Sequence, residues 1–338
     1  MVKFSVIIPV RQINDFLVEN ISYLRKLKYS DFEVLIIVDE EEKYDFGGDS
    51  RFSVIPSGSV SPGDKRNLGA KKSRGEILVF LDDDAYPGRA WLKKAERIFS
   101  KKYIYALGAP AVTPKDSGFL EKVSGRMLES PLVSGFTNYR HMPKKRRLVD
   151  DYPSVNLFVK KDAFVKVGGF DTNFWPGEDT KLCLDLVSTF NRKFLYDPKP
   201  VVYHHRRDVF LPYLKQISRY GRHRGQFAKI FPETSRIFSY FVPLIFVLFL
   251  FFGLILSFIH PIAQGVFKKV MSLYLFLIVF ESTRVMFKDK SIKAGLYFAA
   301  GVFLTHITYG VNFLIGLVKK PKLVLRKVDK TSGKYIGG

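Results

Sequence analysis

The sequence predicts two architectures in series, an α/β fold built on a mostly parallel sheet and then an α-helical membrane region. Three features point there. β-Branched runs alternate with helix-periodic segments over the first two hundred residues, charge-free apolar runs fill the last third, and basic residues gather beside those runs. The 338 residues hold 54 Lys+Arg against 32 Asp+Glu, a formal charge of +22, with 47% hydrophobic residues and 32 Phe. So much apolar and aromatic content excludes a disordered basic tail. A single cysteine, Cys183, excludes a disulfide scaffold or a multi-cysteine zinc site and suits a reducing compartment.

Taken in order, Phe4–Val10 and Phe32–Val38 read as central strands, with Leu17, Ile21 and Leu24 at helical spacing between them. Gly63–Ser73 reads as a loop entering a helix, Glu76–Leu81 as a third buried strand, and Trp91, Ala95 and Ile98 as the stripe of another helix. Pro153–Val159 and Val201–His204 read as later strands around a helix over Thr180–Phe190. Such alternation places ligands beyond the carboxyl ends of the strands.

Ile237–Ile259 is 23 residues without a charge, enough at about 1.5 Å per residue to cross a bilayer core of roughly 30 Å. Residues 294–318 form a second such run, containing His306 and Asn312. Between them, residues 270–287 reach spanning length only by including Glu281 and Arg284, which could pair three apart; a re-entrant or interfacial helix is the other reading. The start reads as a strand rather than a secretory signal, so residues 1–207 are expected to be a cytoplasmic domain. Residues 208–236 are expected to be a basic interfacial segment, 237–318 the membrane helices of a multi-pass cell-membrane protein, and 319–338 a basic tail. Three crossings place that tail outside, against the positive-inside tendency, whereas two or four return it inside. Membrane lipids are thus an expected partner. Nucleic acid is not, because the basic clusters flank apolar runs and no recognition motif accompanies them.

The strand ending at Leu81 runs straight into Asp82, Asp83 and Asp84. Adjacent carboxylates repel, so they are either fully solvated or ligands of a hard divalent cation, Mg²⁺ or Mn²⁺. Glu178 and Asp179 precede a predicted helix and read either as an N-terminal cap or as a general base. His204 and His205 end a strand; adjacent strand residues point to opposite faces, so at most one can face a site. Asp171 reads as a turn residue. Lys144–Arg147 is read as a solvated turn or as a contact to membrane or anionic acceptor.

Together, Ser5–Val10, Ile36–Asp39, Lys65–Ala70 and Leu81–Asp84, followed by Val167–Asp171 and Gly177–Asp179, resemble the ordered motifs of a family 2 glycosyltransferase. The resemblance covers about residues 3–207 and implies the GT-A fold, in the layout of bacterial and archaeal membrane-bound polysaccharide glycosyltransferases. It implies inverting, metal-dependent transfer of a sugar from a nucleotide-diphosphate donor, most simply a UDP-sugar, to a lipid-linked or growing glycan acceptor. By the same resemblance Pro9, Val10 and Asp39 would line the nucleobase pocket and Arg66 would support the nucleotide. Asp82 and Asp84 would match the DxD pair that meets ribose and the metal, with Asp83 between them on the donor side and His204 or His205 as a further metal ligand. Asp179, with Glu178 beside it, would be the base. Glu40, Glu41 and Glu42 follow Asp39 where the family often has Asp, Gly and Ser, which bears on base identity. Gln216, Arg219 and Tyr220 resemble the QxxRW motif of membrane polysaccharide synthases, with Tyr for Trp, and imply an acceptor or membrane-interface role; an interfacial amphipathic helix explains them equally. A catalytically silent membrane scaffold or sugar-binding subunit keeping the fold is the alternative function.

Overall fold

Strand β1 (Phe4–Pro9) and strand β2 (Phe32–Val38) pair in parallel and are buried along their full length. Their mostly apolar sequences, interrupted only by Ser5 and Glu33, follow from that burial, since a strand covered on both faces keeps no polar alternation. Helix α1 (Asp15–Arg25) joins them, capped by Asn14, whose side chain accepts from the Leu17 N–H. In the computed structural model, which describes residues 2–319, 327–328 and 335–336, β3 (Phe52–Pro56) follows as an edge strand on β2. Helix α2 (Pro62–Lys72) starts in a reciprocal capping box between Ser61 and Asp64, and β4 (Ile77–Leu81) then returns beside β1.

Short elements come next: β5 (Ala85–Pro87), α3 (Trp91–Phe99), β6 (Ala106–Gly108), β7 (Ala111–Val112), α4 (Phe119–Glu129), α5 (Pro131–Ser134) and β8 (Arg147–Val149). Then follow β9 (Asn156–Lys160), α6 (Lys161–Lys166), α7 (Glu178–Phe190), β10 (Phe194–Tyr196) and β11 (Val202–His204). The main sheet runs β3-β2-β1-β4-β9-β6-β10-β8, parallel from β3 to β4 and mixed thereafter, and β5-β11-β7 form a second sheet. The core lies between this sheet and its helices, where Trp91 is buried and donates from Nε1 to Asn156 Oδ1 at 3.0 Å. The α2 helix packs closely because residue 69 is glycine: a Cβ there would come 2.5 Å from Ile7 Cγ2.

Two compact units result. One takes in Met1–Val112 and Met142–His204, the other Thr113–His141 and His205–Pro321. α4 and α5 thus group with the C-terminal helices, Val123 and Met127 sharing a buried cluster with Phe298 and Val302. That second unit continues with α8 (Leu211–Ile230), α9 (Pro232–Ser235), α10 (Phe238–Leu248), a π-helical turn over Phe249–Gly253, α11 (Leu254–Ile259), α12 (Pro261–Asp289) and α13 (Ile292–Val318). Phe238–Ile259, Pro261–Asp289 and Ile292–Val318 are each long and apolar enough to cross a membrane. The middle helix is longer than residues 270–287, and Arg284 pairs with Glu281 on it. Of the basic tail, only β12 (Lys327–Val328) and β13 (Tyr335–Ile336), paired antiparallel, fall among the described residues after Lys319; Lys320, Lys322, Arg326, Lys330 and Lys334 lie outside them.

Candidate active site

The first unit gathers acidic groups at the carboxyl ends of its strands. Because β4 is wholly buried, the chain leaves the core at Asp82, and the three aspartates sit half-buried at its mouth. β11 runs antiparallel to β5 with His204 opposite Ala85, which delivers the imidazole to the turn that the aspartates form. His204 Nε2 lies 3.1 Å from Asp84 Oδ1. One ligand atom each from Asp82, Asp84 and His204 falls within a 4.8 Å span. In the second unit His205 Nδ1 instead lies 3.2 Å from Glu121 Oε1 on α4. Asp83 is held by Asn14, whose Nδ2 donates to it at 2.8 Å. Burial, reinforced by Asp84 and Asp82, keeps the Asp83 carboxyl above its ordinary pKa despite that bond.

Arg66 sits deeper. Its buried guanidinium donates from Nη2 to Asp82 at 2.8 Å and from Nη1 to Glu178 at 3.2 Å, and it lies 5.6 Å from the centre of the Phe170 ring. The residue expected to support the nucleotide is thus a buried bridge between the Asp82 turn and the start of α7. Glu178 also accepts from the Gly177 N–H at 3.1 Å. Burial first, then the charge of Asp179, push the Glu178 carboxyl up to about 7, against the pull of Arg66. Neither acid caps α7, whose N-cap is Gly177 with no side-chain capping bond. Asp179 is half-buried in the first turn and accepts from the Thr180 N–H.

The neighbour of Arg66 on each side has a task that motif matching left unassigned. Lys65 is buried and donates from Nζ to the Val10 carbonyl and the Asp39 carboxylate, tying the ends of β1 and β2 together beside the buried Pro9. Asn67 clamps the loop before α7: Nδ2 donates to the Phe170 carbonyl at 2.8 Å, and Oδ1 accepts from the Phe170 N–H at 2.9 Å. Gly168 and Gly169 reach this clamp with φ of 82° and 79°, conformations that side chains resist. Asp171 is a turn residue, accepting from the Asn173 N–H at 3.1 Å. The polar pattern at residues 65–67 was visible; its partners, scores of positions away, were not.

In the second unit Gln216, Arg219 and Tyr220 share α8, and Gln216 Nε2 donates to the Tyr220 hydroxyl at 3.2 Å. Arg219 and Tyr220 are exposed.

Residues 5–168 match the family model described as glycosyl transferase family 2. The chain carries a family 2 glycosyltransferase domain. It is 28% identical over 239 residues to the pre-mycofactocin glycosyltransferase of Mycobacterium tuberculosis, covering 68% of this chain and 48% of that protein. The poly(ribitol-phosphate) β-N-acetylglucosaminyltransferase TarS of Staphylococcus aureus is 31% identical over 105 residues, 28% of this chain and 18% of TarS. The chain therefore spans about half or less of the length of these curated relatives. Among solved structures, the mannosyltransferase PcManGT from Pyrobaculum calidifontis, in complex with GDP-Man and Mn²⁺, superposes with a TM-score of 0.53 at 15% identity, covering 93% of this chain and 86% of that one. At that identity the likeness is one of fold, the GT-A arrangement. Within the family 2 domain the matched span includes all three aspartates, Lys65, Arg66 and Asn67; the Glu178–Asp179 pair and His204 lie C-terminal to it.

Proposed function

We propose that the protein transfers a sugar from a nucleotide-diphosphate donor, in the simplest case a UDP-sugar, to a lipid-linked or growing glycan acceptor at a membrane surface, with inversion. The observation that carries this reading is the meeting of Asp82, Asp84 and His204 at the carboxyl edge of a family 2 domain. Two carboxylates and one imidazole, half-buried and within 4.8 Å, suit a divalent cation, and the nitrogen ligand tips the set from Mg²⁺ toward a transition ion such as Mn²⁺. A cation bound there supplies Lewis-acid stabilisation of the leaving diphosphate.

The protein's own groups do the rest. Asp39 and Val10, fixed by Lys65, form one wall of the donor crevice. Asp82 is fixed by Arg66, so the turn that meets the donor and the helix that carries the base share one buried cation. Asp179 takes the proton of the acceptor hydroxyl as its oxygen attacks the anomeric carbon from the face opposite the leaving nucleotide. A positioned base of this kind contributes roughly 10²–10⁴-fold. The apolar C-terminal helices favour a membrane-embedded protein, with the catalytic domain on the cytoplasmic side where nucleotide sugars are found and the cell membrane as its location.

The test is transfer by the full chain in lipid, from UDP-, GDP- and dTDP-sugars with Mn²⁺, to lipid-phosphate and glycan acceptors. Turnover that Asp84→Ala abolishes is expected. Equal turnover by both proteins rejects the cation site, and donor binding without turnover on any acceptor supports the silent scaffold instead.

A further inference from the structure

Length and hydropathy admit α13 as a membrane span, as they do α10–α11 and α12 that pack on it, but two other helices beside it, α4 and α8, carry charges that do not belong in hydrocarbon. We propose that α13 lies in the plane of the membrane surface on the side of the catalytic domain, its exposed apolar flank seated against the bilayer, and that the chain leaves α13 on that same side.

The alignment of α13 with its neighbours carries this inference. Lys293 Nζ lies 5.1 Å from the centre of the Phe119 ring, Gly301 backs onto Met127, and His306 Nε2 lies 2.7 Å from the Leu132 carbonyl oxygen. Each of these pairs is separated by 174 positions. A constant separation means that two segments run side by side in the same direction, so the α4–α5 segment accompanies α13 from residue 293 to residue 306. Next, Gly221 and Gly225 back onto Tyr309 and Phe313 so closely that a Cβ on Gly221 would meet the Tyr309 carbonyl oxygen at 2.7 Å. Arg222 Nη2 donates to Asn312 Oδ1, and Lys229 Nζ to the Lys319 carbonyl, each across 90 positions. Helix α8 therefore accompanies α13 to its end.

Between them, α4 and α8 flank the whole of a helix about 40 Å long at 1.5 Å per residue. They carry Glu121, Lys122, Arg126 and Glu129 on α4, and exposed Lys215, Arg219, Arg222 and Lys229 on α8. A membrane-crossing α13 would draw those charges to every depth of the bilayer, a placement that lipid penalises. The exit of α12 is tied to the same level: Arg126 Nη2 pairs with Asp289 at 2.7 Å, Lys288 with Glu129 at 2.9 Å, and Ser130 donates to Glu281 at 3.2 Å. Although α10 and α12 touch α13, with Phe241 against Phe313 and Tyr274 against His306, the chain at the end of α12 is back beside α4 before α13 begins.

The uncovered flank of α13 names its partner. Leu296, Phe303, Leu304, Val311, Leu314 and Val318 are exposed and recur at helical spacing as one stripe. An apolar stripe on a helix flanked by exposed cations is the pattern that lies in the boundary of an anionic bilayer. This arrangement also removes the conflict over the basic tail, because a surface-lying α13 leaves the lysines after residue 318 on the inner, positive side.

Nitroxide labels on single cysteines at Leu296, Leu304, Val311 and Val318, in phosphatidylcholine–phosphatidylglycerol vesicles, test the geometry through collision with oxygen and a nickel chelate. The wild type, with its one buried cysteine, serves as the blank. One shallow depth at all four positions is expected. A depth that rises toward Leu304 and Val311 and falls at both ends means a span and overturns the proposal. Low access to both quenchers at all four positions means that a second copy covers the stripe, and overturns the bilayer as its partner. Independently, Lys319→Cys and Lys101→Cys should show the same fraction protected from an impermeant maleimide in sealed vesicles. Complementary fractions would place the end of α13 on the opposite face and reject it.

Discussion

Arg66 Nη1 donates to Glu178 Oε1 at 3.2 Å across 112 positions of sequence, while its Nη2 holds Asp82. One buried cation therefore serves two carboxylates from different motifs. Removing it takes the shared partner from both acids, and breaking a buried pair from one side costs about 3–5 kcal/mol. Arg66→Ala should lower the thermal unfolding temperature accordingly. Arg66→Met combined with Glu178→Gln should recover part of the loss, because the double variant removes a charge of each sign. Equal destabilisation by the single and double variants would show that the two groups are not coupled.

Glu178 gives a pH signature. Its folded-state pKa of about 7 lies above the ordinary 4.5, so the folded protein holds this proton more tightly than the unfolded chain does. The resulting stability is complete below the ordinary value and is lost as pH rises through about 7. Glu178→Gln fixes the neutral form. The melting temperature of the wild type relative to Glu178→Gln should therefore fall between about pH 5 and about pH 8. A difference that stays constant over this range contradicts the shift.

How far the sequence revealed this arrangement depended on distance along the chain. β1, β2 and β4 were legible because each is a mainly apolar run, interrupted only by Ser5 in β1 and Glu33 in β2. β5, β7 and β11 span two or three residues, too few for any period to register, and yet the pairing of β11 with β5 is what chooses His204 over His205. Asp82 and Asp84 could be found as a motif at a strand end. The bridging by Arg66 and the clamp by Asn67 could not, since each depends on a partner more than a hundred positions away. The grouping of α4 with the C-terminal helices was likewise hidden, because Val123 and Met127 look like the core of any amphipathic helix.

The cation site has a binding signature that needs no catalysis. A ligand that binds only the folded state stabilises it by about 2.7 kcal/mol at a hundred-fold excess over Kd. Mn²⁺ should raise the melting temperature of the wild type, and EDTA should reverse the effect. Asp84→Asn should abolish it. His204→Ala should reduce the Mn²⁺ shift more than any Mg²⁺ shift, because it removes the nitrogen ligand and leaves the oxygens. An Mn²⁺ shift of undiminished size in Asp84→Asn would remove Asp84 from the ligand set.

Gly69 shows how closely the site depends on packing beneath it. It lies on α2 three residues after Arg66, and a Cβ there would meet Ile7 Cγ2 at 2.5 Å and Ile37 Cγ1 at 3.4 Å. Both isoleucines are fully buried in β1 and β2, so neither can swing aside. Gly69→Ala should push α2 off the sheet, and overpacking of this kind costs about 1–3 kcal/mol. The same displacement moves Lys65 and Arg66 relative to Asp39 and Asp82, so donor affinity should weaken along with stability. Ile7→Ala opens the space that the new methyl needs. Although it is destabilising alone, combining it with Gly69→Ala should cost less than the two changes summed. Additive losses in melting temperature and unchanged donor binding would mean that α2 accommodates the methyl without moving.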